Sequence, residues 1–137
     1  MNFTYNIEGG NFADAGNISS EVKQMLKQLN IPGDIIRKVV ITCYEAEINI
    51  VAHTYRGTAD IEFKEDSIVI KMSDEGPGIE NIELALQEGY STASDKVREM
   101  GFGAGMGLPN IKRNSDHLDI QSEVNKGTQV TIIHNLK

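Results

Sequence analysis

Apolar and polar residues follow two different periods along the first half of the chain, and these periods predict its first elements. Residues 3–7 alternate between apolar and polar, which predicts a β-strand. Residues 11–30 have a helical period, and one side of this predicted helix is apolar: Ile18, Val22, Met25, Leu26 and Leu29. A second helix is predicted over residues 32–55, with Pro32 in its first turn. It is apolar on most sides, which is typical of a buried helix.

The second half of the chain predicts short strands rather than long helices. Residues 80–103 show only a weak pattern, and residues 125–127 give a hairpin turn signal. The elements around them are strands 58–64 and 67–72, a short helix 106–116, and strands 118–120 and 130–132. The order β-α-α-β-β-loop-α-β-β predicts an α/β two-layer sandwich. We expect a mixed, mostly antiparallel sheet with helices on one face.

Composition narrows the class of protein. The 137 residues suit a single domain over residues 1–137. The net charge of −7 argues against a nucleic-acid partner and against binding to an anionic membrane surface. No stretch has transmembrane length or the pattern of a secretory leader, so we expect a cytoplasmic protein. Cys43 is the single cysteine, so we expect no internal disulfide and a small buried side chain there.

The first candidate motif is Glu45-x-x-x-Asn49 in the second helix. Residues four apart lie on the same side of a helix, so this pair predicts a polar stripe on an otherwise apolar element. A neutral amide oxygen suits Mg²⁺ that is held mainly by phosphates and water, and a carboxylate can accept a hydroxyl proton. An exposed helix face would explain the pair as well. Glu47 lies off this stripe and is expected to be solvated, whereas His53 is expected at the core or its rim.

The second motif is Asp74-x-Gly76-x-Gly78-Ile79, directly after a predicted strand. Its glycines permit positive φ and the close approach of a flat ligand to the backbone. Asp74 could accept a hydrogen bond from an amino group on a base. Asp74, Gly76, Gly78 and Ile79 are therefore candidate nucleotide-binding residues. A plain turn uses the same residue types and remains an alternative.

The third motif is a cluster of glycines that opens a predicted helix. Alternate glycines leave backbone N–H groups free to point at an anion, and the start of a helix adds positive charge. This predicts a phosphate-binding loop, although it is neither a P-loop nor the dinucleotide fingerprint. A flexible hinge is the alternative. The residues are Gly101, Gly103, Gly105, Met106, Gly107 and Leu108.

In their order and spacing, the three motifs resemble the N box and the two glycine boxes of the GHKL ATPases, a superfamily that includes DNA gyrase, histidine kinases and MutL. Thr128, which follows Lys126-Gly127, is similar to the later Gly-Thr element of that superfamily. The resemblance spans about residues 34–134. It implies the Bergerat α/β sandwich with an ATP lid at about residues 80–103.

The resemblance also implies a role for each matching residue. Glu45 would be the general base for the attacking hydroxyl, and Asn49 would hold Mg²⁺. Asp74 would bind the adenine amino group of ATP or ADP, with Gly78 approaching the ring and Thr128 helping through water. The phosphates would meet the backbone of the third motif, namely Gly103, Gly105, Met106, Gly107 and Leu108.

Within the superfamily, the chain resembles the small anti-sigma factor serine kinases and switch-protein kinases of bacteria. Two stretches carry this resemblance, YEAEINIVAHTY and GFGAGMGLPNIKRNSD. Tyr44 and Ile48 depart from the Ser and Thr that are frequent in those kinases. The resemblance implies an ATP-dependent serine/threonine kinase whose substrate is a serine on an anti-sigma-factor antagonist, with a sigma factor as a further partner.

Other functions remain open from the sequence. A binding module would use ATP or ADP occupancy to reshape its lid and grip a partner, with little catalysis. A detached histidine kinase catalytic domain fits less well, because the sequence shows no dimerisation helix pair and no phosphoacceptor histidine segment. The first helix, with Met25 and Leu29, leaves both a homodimer contact and a core role open.

Overall fold

The computed structural model describes residues 1–87 and 107–137, and within them the predicted elements are present with different bounds. A 3₁₀ turn at Phe12–Asp14 precedes the first helix. The helices and strands in chain order are β1 (Asn2–Glu8), α1 (Asn17–Gln28), α2 (Gly33–His53), β2 (Arg56–Phe63), β3 (Ser67–Glu75), α3 (Ile82–Ala85), α4 (Gly107–Asn114), β4 (His117–Glu123) and β5 (Gly127–Asn135). Gly101, Gly103, Gly105, Met106 and most of the predicted lid lie outside the described residues.

The strands form one five-stranded sheet in the order β1-β2-β3-β5-β4. Each neighbouring pair is antiparallel, so the expectation of a mixed sheet is wrong for the described part of the chain. Two short hairpins join β2 to β3 and β4 to β5, and a hairpin always makes its strands antiparallel. β3 occupies the centre, with Ile70 opposite Ile61 on one side and Ile132 on the other.

The helices cover one face of this sheet, as the sequence predicts. α2 contacts four of the strands, and α1 and α4 pack beside it. The core between the layers includes Cys43, which is fully buried as expected, and one polar pair, in which Thr42 Oγ1 lies 2.7 Å from His134 Nε2. No helix in the described ranges 1–87 and 107–137 has the length and apolar character needed to cross a membrane.

The first helix starts later than the sequence predicts. Gly16 has a φ of 99°, a left-handed backbone conformation that cannot be part of an α-helix. The predicted helix over residues 11–30 is therefore divided into the 3₁₀ turn and α1. Val22 and Leu26 of α1 are fully buried, but Leu29 follows the helix and is 50% exposed, so its predicted place on the apolar side is wrong.

Candidate nucleotide site

The first part of the candidate site lies where α2 meets the start of α4. Glu45 and Asn49 are one helical turn apart on α2, and both face Gly107, the first residue of α4. A Cβ atom on Gly107 would lie 2.8 Å from Asn49 Oδ1 and 3.2 Å from Glu45 Oε2. A side chain at position 107 would therefore require the Asn49 side chain to move. The structure brings together residues from the first and third motifs.

The Glu45 carboxylate is half-buried in this corner. Burial raises its pKa, and a hydrogen bond with the Asn110 side chain of α4 lowers it. A carboxylate with a raised pKa is a stronger proton acceptor than an exposed one. Asn110 escaped the sequence analysis, because an asparagine three residues into a helix after a glycine cluster carries no signal of its own.

The second part of the site lies at the end of β3, around Asp74. The Thr128 N–H of β5 donates to Asp74 Oδ1 at 3.1 Å. Burial raises the pKa of Asp74 to about 6, and the Thr128 N–H opposes this shift. A carboxylate has acceptor sites for about four hydrogen bonds, so capacity remains for a ligand amino group. The structure thus brings together Asp74 and Thr128, two residues that the resemblance implies for one site.

The glycine turn after Asp74 is attached to the hairpin of β4 and β5. Gly78 has a φ of 76°, and a Cβ there would collide with the backbone carbonyl of Glu123. The Asn125 N–H donates to the Pro77 carbonyl at 2.8 Å. Gly76 packs against Thr54, where a Cβ would lie 2.8 Å from the threonine Cβ. The turn is thus held between the β4–β5 hairpin and the end of α2, the helix that carries Glu45 and Asn49.

Ser122 of β4 joins the parts of this second group. The Ile79 N–H donates to Ser122 Oγ at 2.7 Å, and Thr128 Oγ1 lies 2.8 Å from the same oxygen. Ser122 Oγ also donates to the Gly127 carbonyl at 3.1 Å. Ser122 was missed in the sequence, although the turn at residues 125–127 contains the signal. That turn places Ser122 opposite Thr128 in the β4–β5 register.

Glu47 is not solvated, and the sequence prediction for it is wrong. It is 3% exposed, and its Oε2 accepts the Gly16 N–H at 3.0 Å. Burial raises its pKa, while the N–H groups of Gly16, Ser19 and Ile18 lower it. Two residues along a helix correspond to a rotation of about 200°, so Glu47 points away from the Glu45 side. It caps the start of α1 and lies outside the candidate site.

The predicted residues that the structure describes thus form two groups. One lies between α2 and α4, and the other lies at the end of β3 beside the β4–β5 hairpin. Leu108 follows Gly107 in α4 and packs against the core. His53 is half-buried near the end of α2, as expected for a rim position, and burial lowers its pKa. The positions of Gly103, Gly105 and Met106 lie outside the described residues.

The fold and the site together have the arrangement of a GHKL-type ATPase. The fold is a two-layer α/β sandwich, and the site contains the polar pair Glu45 and Asn49, the Asp74 carboxylate, and Gly107 at the start of a helix. Residues 11–134 match the family described as "Histidine kinase-like ATPase domain". The chain belongs to this family, which confirms the resemblance predicted from the motifs. Membership of an ATPase family implies that the chain binds ATP.

The chain is similar in sequence to proteins named as anti-sigma factors and to a serine/threonine-protein kinase. It is 32% identical over 117 residues to an anti-sigma F factor of Clostridium beijerinckii, covering 81% of this chain and 78% of that protein. It is 29% identical over 100 residues to the serine/threonine-protein kinase RsbT of Bacillus subtilis, covering 70% of this chain and 69% of the kinase. These similarities confirm the predicted resemblance to the anti-sigma and switch-kinase branch.

A solved structure supports the fold independently of sequence similarity. The chain superposes on a chain of the SiaB–SiaC complex from Pseudomonas aeruginosa with a TM-score of 0.66 and 16% identity. The match covers 96% of this chain and 88% of that chain. At this identity the likeness concerns the fold.

Proposed function

We propose that the chain is an ATP-dependent protein serine kinase of the anti-sigma type. Its substrate would be a serine on an anti-sigma-factor antagonist, and a sigma factor would be a further partner. The observation that carries this proposal is the convergence of Glu45 and Asn49 on Gly107 at the start of α4. The names of the relatives, anti-sigma F factor and serine/threonine-protein kinase, support the choice of partner and substrate.

ATP would lie between the two groups of residues. Asp74 accepts a hydrogen bond from the adenine amino group, and Thr128 assists beside it. Gly107 lies at the positive start of an eight-residue helix, where backbone N–H groups would donate to phosphate oxygens. The Asn49 amide oxygen would hold Mg²⁺, and the ion would neutralise charge on the phosphates.

The reaction needs one proton acceptor and correct positioning. The substrate serine oxygen forms a bond to the γ-phosphorus, while the bond from that phosphorus to the bridging oxygen of ADP breaks. The proton of the serine hydroxyl goes to the Glu45 carboxylate, whose pKa is raised by burial. ADP leaves with the bridging oxygen, and the products are phosphoserine and ADP.

The test separates nucleotide binding from catalysis. The wild-type protein, Glu45→Gln and Glu65→Gln are each mixed with Mg-ATP and the anti-sigma-factor antagonist of the same genome. Glu65 is exposed at the tip of the β2–β3 hairpin, so it serves as the matched control. We expect Glu45→Gln to bind ADP normally and to form phosphoserine at least about 100-fold more slowly. No phosphoserine from the wild-type protein would contradict the kinase assignment.

A second function is favoured by the position of the Asn110 side chain, which interacts with the Glu45 carboxylate. If this interaction persists when nucleotide is bound, the carboxylate is engaged and the protein would work as a nucleotide-dependent binding module. Affinity for the antagonist would then differ between the ATP and ADP states and would be the same in Glu45→Gln. Phosphoserine formation by the wild-type protein would exclude this alternative.

A further inference from the structure

The hydroxyl of Ser122 lies among three polar neighbours, and its hydrogen bonds can be assigned by counting. A serine hydroxyl has one proton to donate and two lone pairs that accept. The Ile79 N–H can only donate, and it lies 2.7 Å from Ser122 Oγ. The Gly127 carbonyl can only accept, and it lies 3.1 Å away on the other side. These two contacts use one lone pair and the single proton.

When Ser122 donates to the Gly127 carbonyl, the third neighbour, the Thr128 hydroxyl, is the donor in its own contact. Its oxygen lies 2.8 Å from Ser122 Oγ, where one lone pair remains. With its proton directed at Ser122, Thr128 Oγ1 offers lone pairs alone to a ligand. The adjacent Asp74 carboxylate is also an acceptor when ionised, and it takes the Thr128 N–H. Two acceptors therefore stand side by side.

We propose that Ser122 is a positioning residue that makes the site specific for adenine, because it fixes the Thr128 hydroxyl as a hydrogen-bond acceptor. This inference rests on the proposed ATP site. Two neighbouring acceptors match the two protons of the 6-amino group of adenine. A 6-carbonyl group, as in hypoxanthine or guanine, has no proton to donate and is left without partners.

The hydrogen bond from the Ile79 N–H gives Ser122 a second effect that must be separated from the first. Ser122 holds the turn that contains Gly78, so its loss would also loosen the site as a whole. Loosening of the turn alone would weaken the binding of every purine nucleotide by a similar factor. A change in the ratio of affinities for two bases is expected only if the Thr128 hydroxyl becomes free to rotate and donate.

The experiment compares Ser122→Thr with Ser122→Val, two side chains of nearly equal shape that differ in the hydroxyl. Dissociation constants for ADP and inosine diphosphate are measured by calorimetry with Mg²⁺ for both variants and the wild type. We expect the wild-type protein and Ser122→Thr to prefer ADP by about 100-fold. In Ser122→Val this preference should fall by about tenfold. Ser122→Ala, which adds no volume, provides the same comparison if the larger side chains prevent folding.

The outcomes distinguish this inference from the proposed function. If Ser122→Val and Ser122→Ala weaken the binding of ADP and of inosine diphosphate by equal factors, Ser122 only holds the turn, and the inference is overturned. A wild-type protein that binds both nucleotides equally well overturns it too. A wild-type protein that binds no ADP contradicts the ATP site itself, and the proposed function fails before the role of Ser122 is reached.

Discussion

Nucleotide affinity should fall in mild acid because protons compete with adenine for Asp74. The pKa of this carboxyl is raised by burial to about 6 in the free protein. Only the ionised carboxylate keeps its full acceptor capacity for the adenine amino group and the Thr128 N–H. ADP therefore binds the ionised form, and lowering the pH through 6 removes that form from the population.

The size of the effect follows from the fraction of Asp74 that is ionised. With a pKa of about 6, roughly one molecule in eleven is ionised at pH 5, and nearly all are ionised at pH 7.5. The apparent dissociation constant is the intrinsic one divided by that fraction, so it should rise about tenfold between these two values. At pH 6 about half the molecules carry the proton, and ADP binding should release about half a proton per site.

Calorimetric titration with ADP in two buffers of different ionisation enthalpy measures both quantities. ADP has its own titrating phosphate, and Asp74→Asn supplies the control because its amide does not titrate. The residual, weaker binding of this variant should show only the pH dependence of the ligand. Equal pH dependence in the wild type and Asp74→Asn would refute the role of Asp74 as the group that protons and adenine share.

Two further predictions concern stability and the glycine turn. Glu47→Ala should lower the free energy of unfolding, measured with urea, by about 2 kcal/mol, because it removes a buried carboxylate that accepts the Gly16 N–H. Glu47→Gln keeps an acceptor and should lower the free energy of unfolding by less. Gly78→Ala should lower stability by about 2 kcal/mol and abolish measurable ADP binding, since it adds a collision with the Glu123 carbonyl to the strain of positive φ. Gly10→Ala is its control, with a φ of 81° and open space around the added Cβ, and equal losses in both variants would contradict this reasoning.

The parts of the structure that the sequence predicts correctly are those set by local pattern. The helical period of α2 places Glu45 and Asn49 on one side, and the turn signal before Gly127 gives the β4–β5 hairpin. Asp74 at the end of a strand, followed by glycines, also needs no information from elsewhere in the chain. Local spacing therefore predicts the fold class and the places of Glu45, Asn49 and Asp74 within it.

The parts that escape prediction depend on contacts between distant segments. Glu47 is expected in solvent because its neighbours in sequence do not show that Gly16 lies beside it, 31 positions earlier. Ser122 contacts Ile79, which is 43 positions away, and such a pairing exists only once the strand order is known. The interaction of Asn110 with Glu45 likewise depends on the packing of α4 on α2. Tertiary contacts, rather than residue type, assign these roles.

One feature of α2 limits how the chain can change. Glu45 and Asn49 are fitted to α4, and Glu47, between them, is fitted to the start of α1 on the opposite side. One inserted or deleted residue would turn everything beyond it by about 100° about the helix axis, so the two fits could not both survive. The number of residues in this stretch is therefore constrained by contacts on both sides of the helix. An insertion between Glu45 and Glu47 would therefore break the contact of one of these residues, whereas an insertion in a hairpin loop would change neither contact.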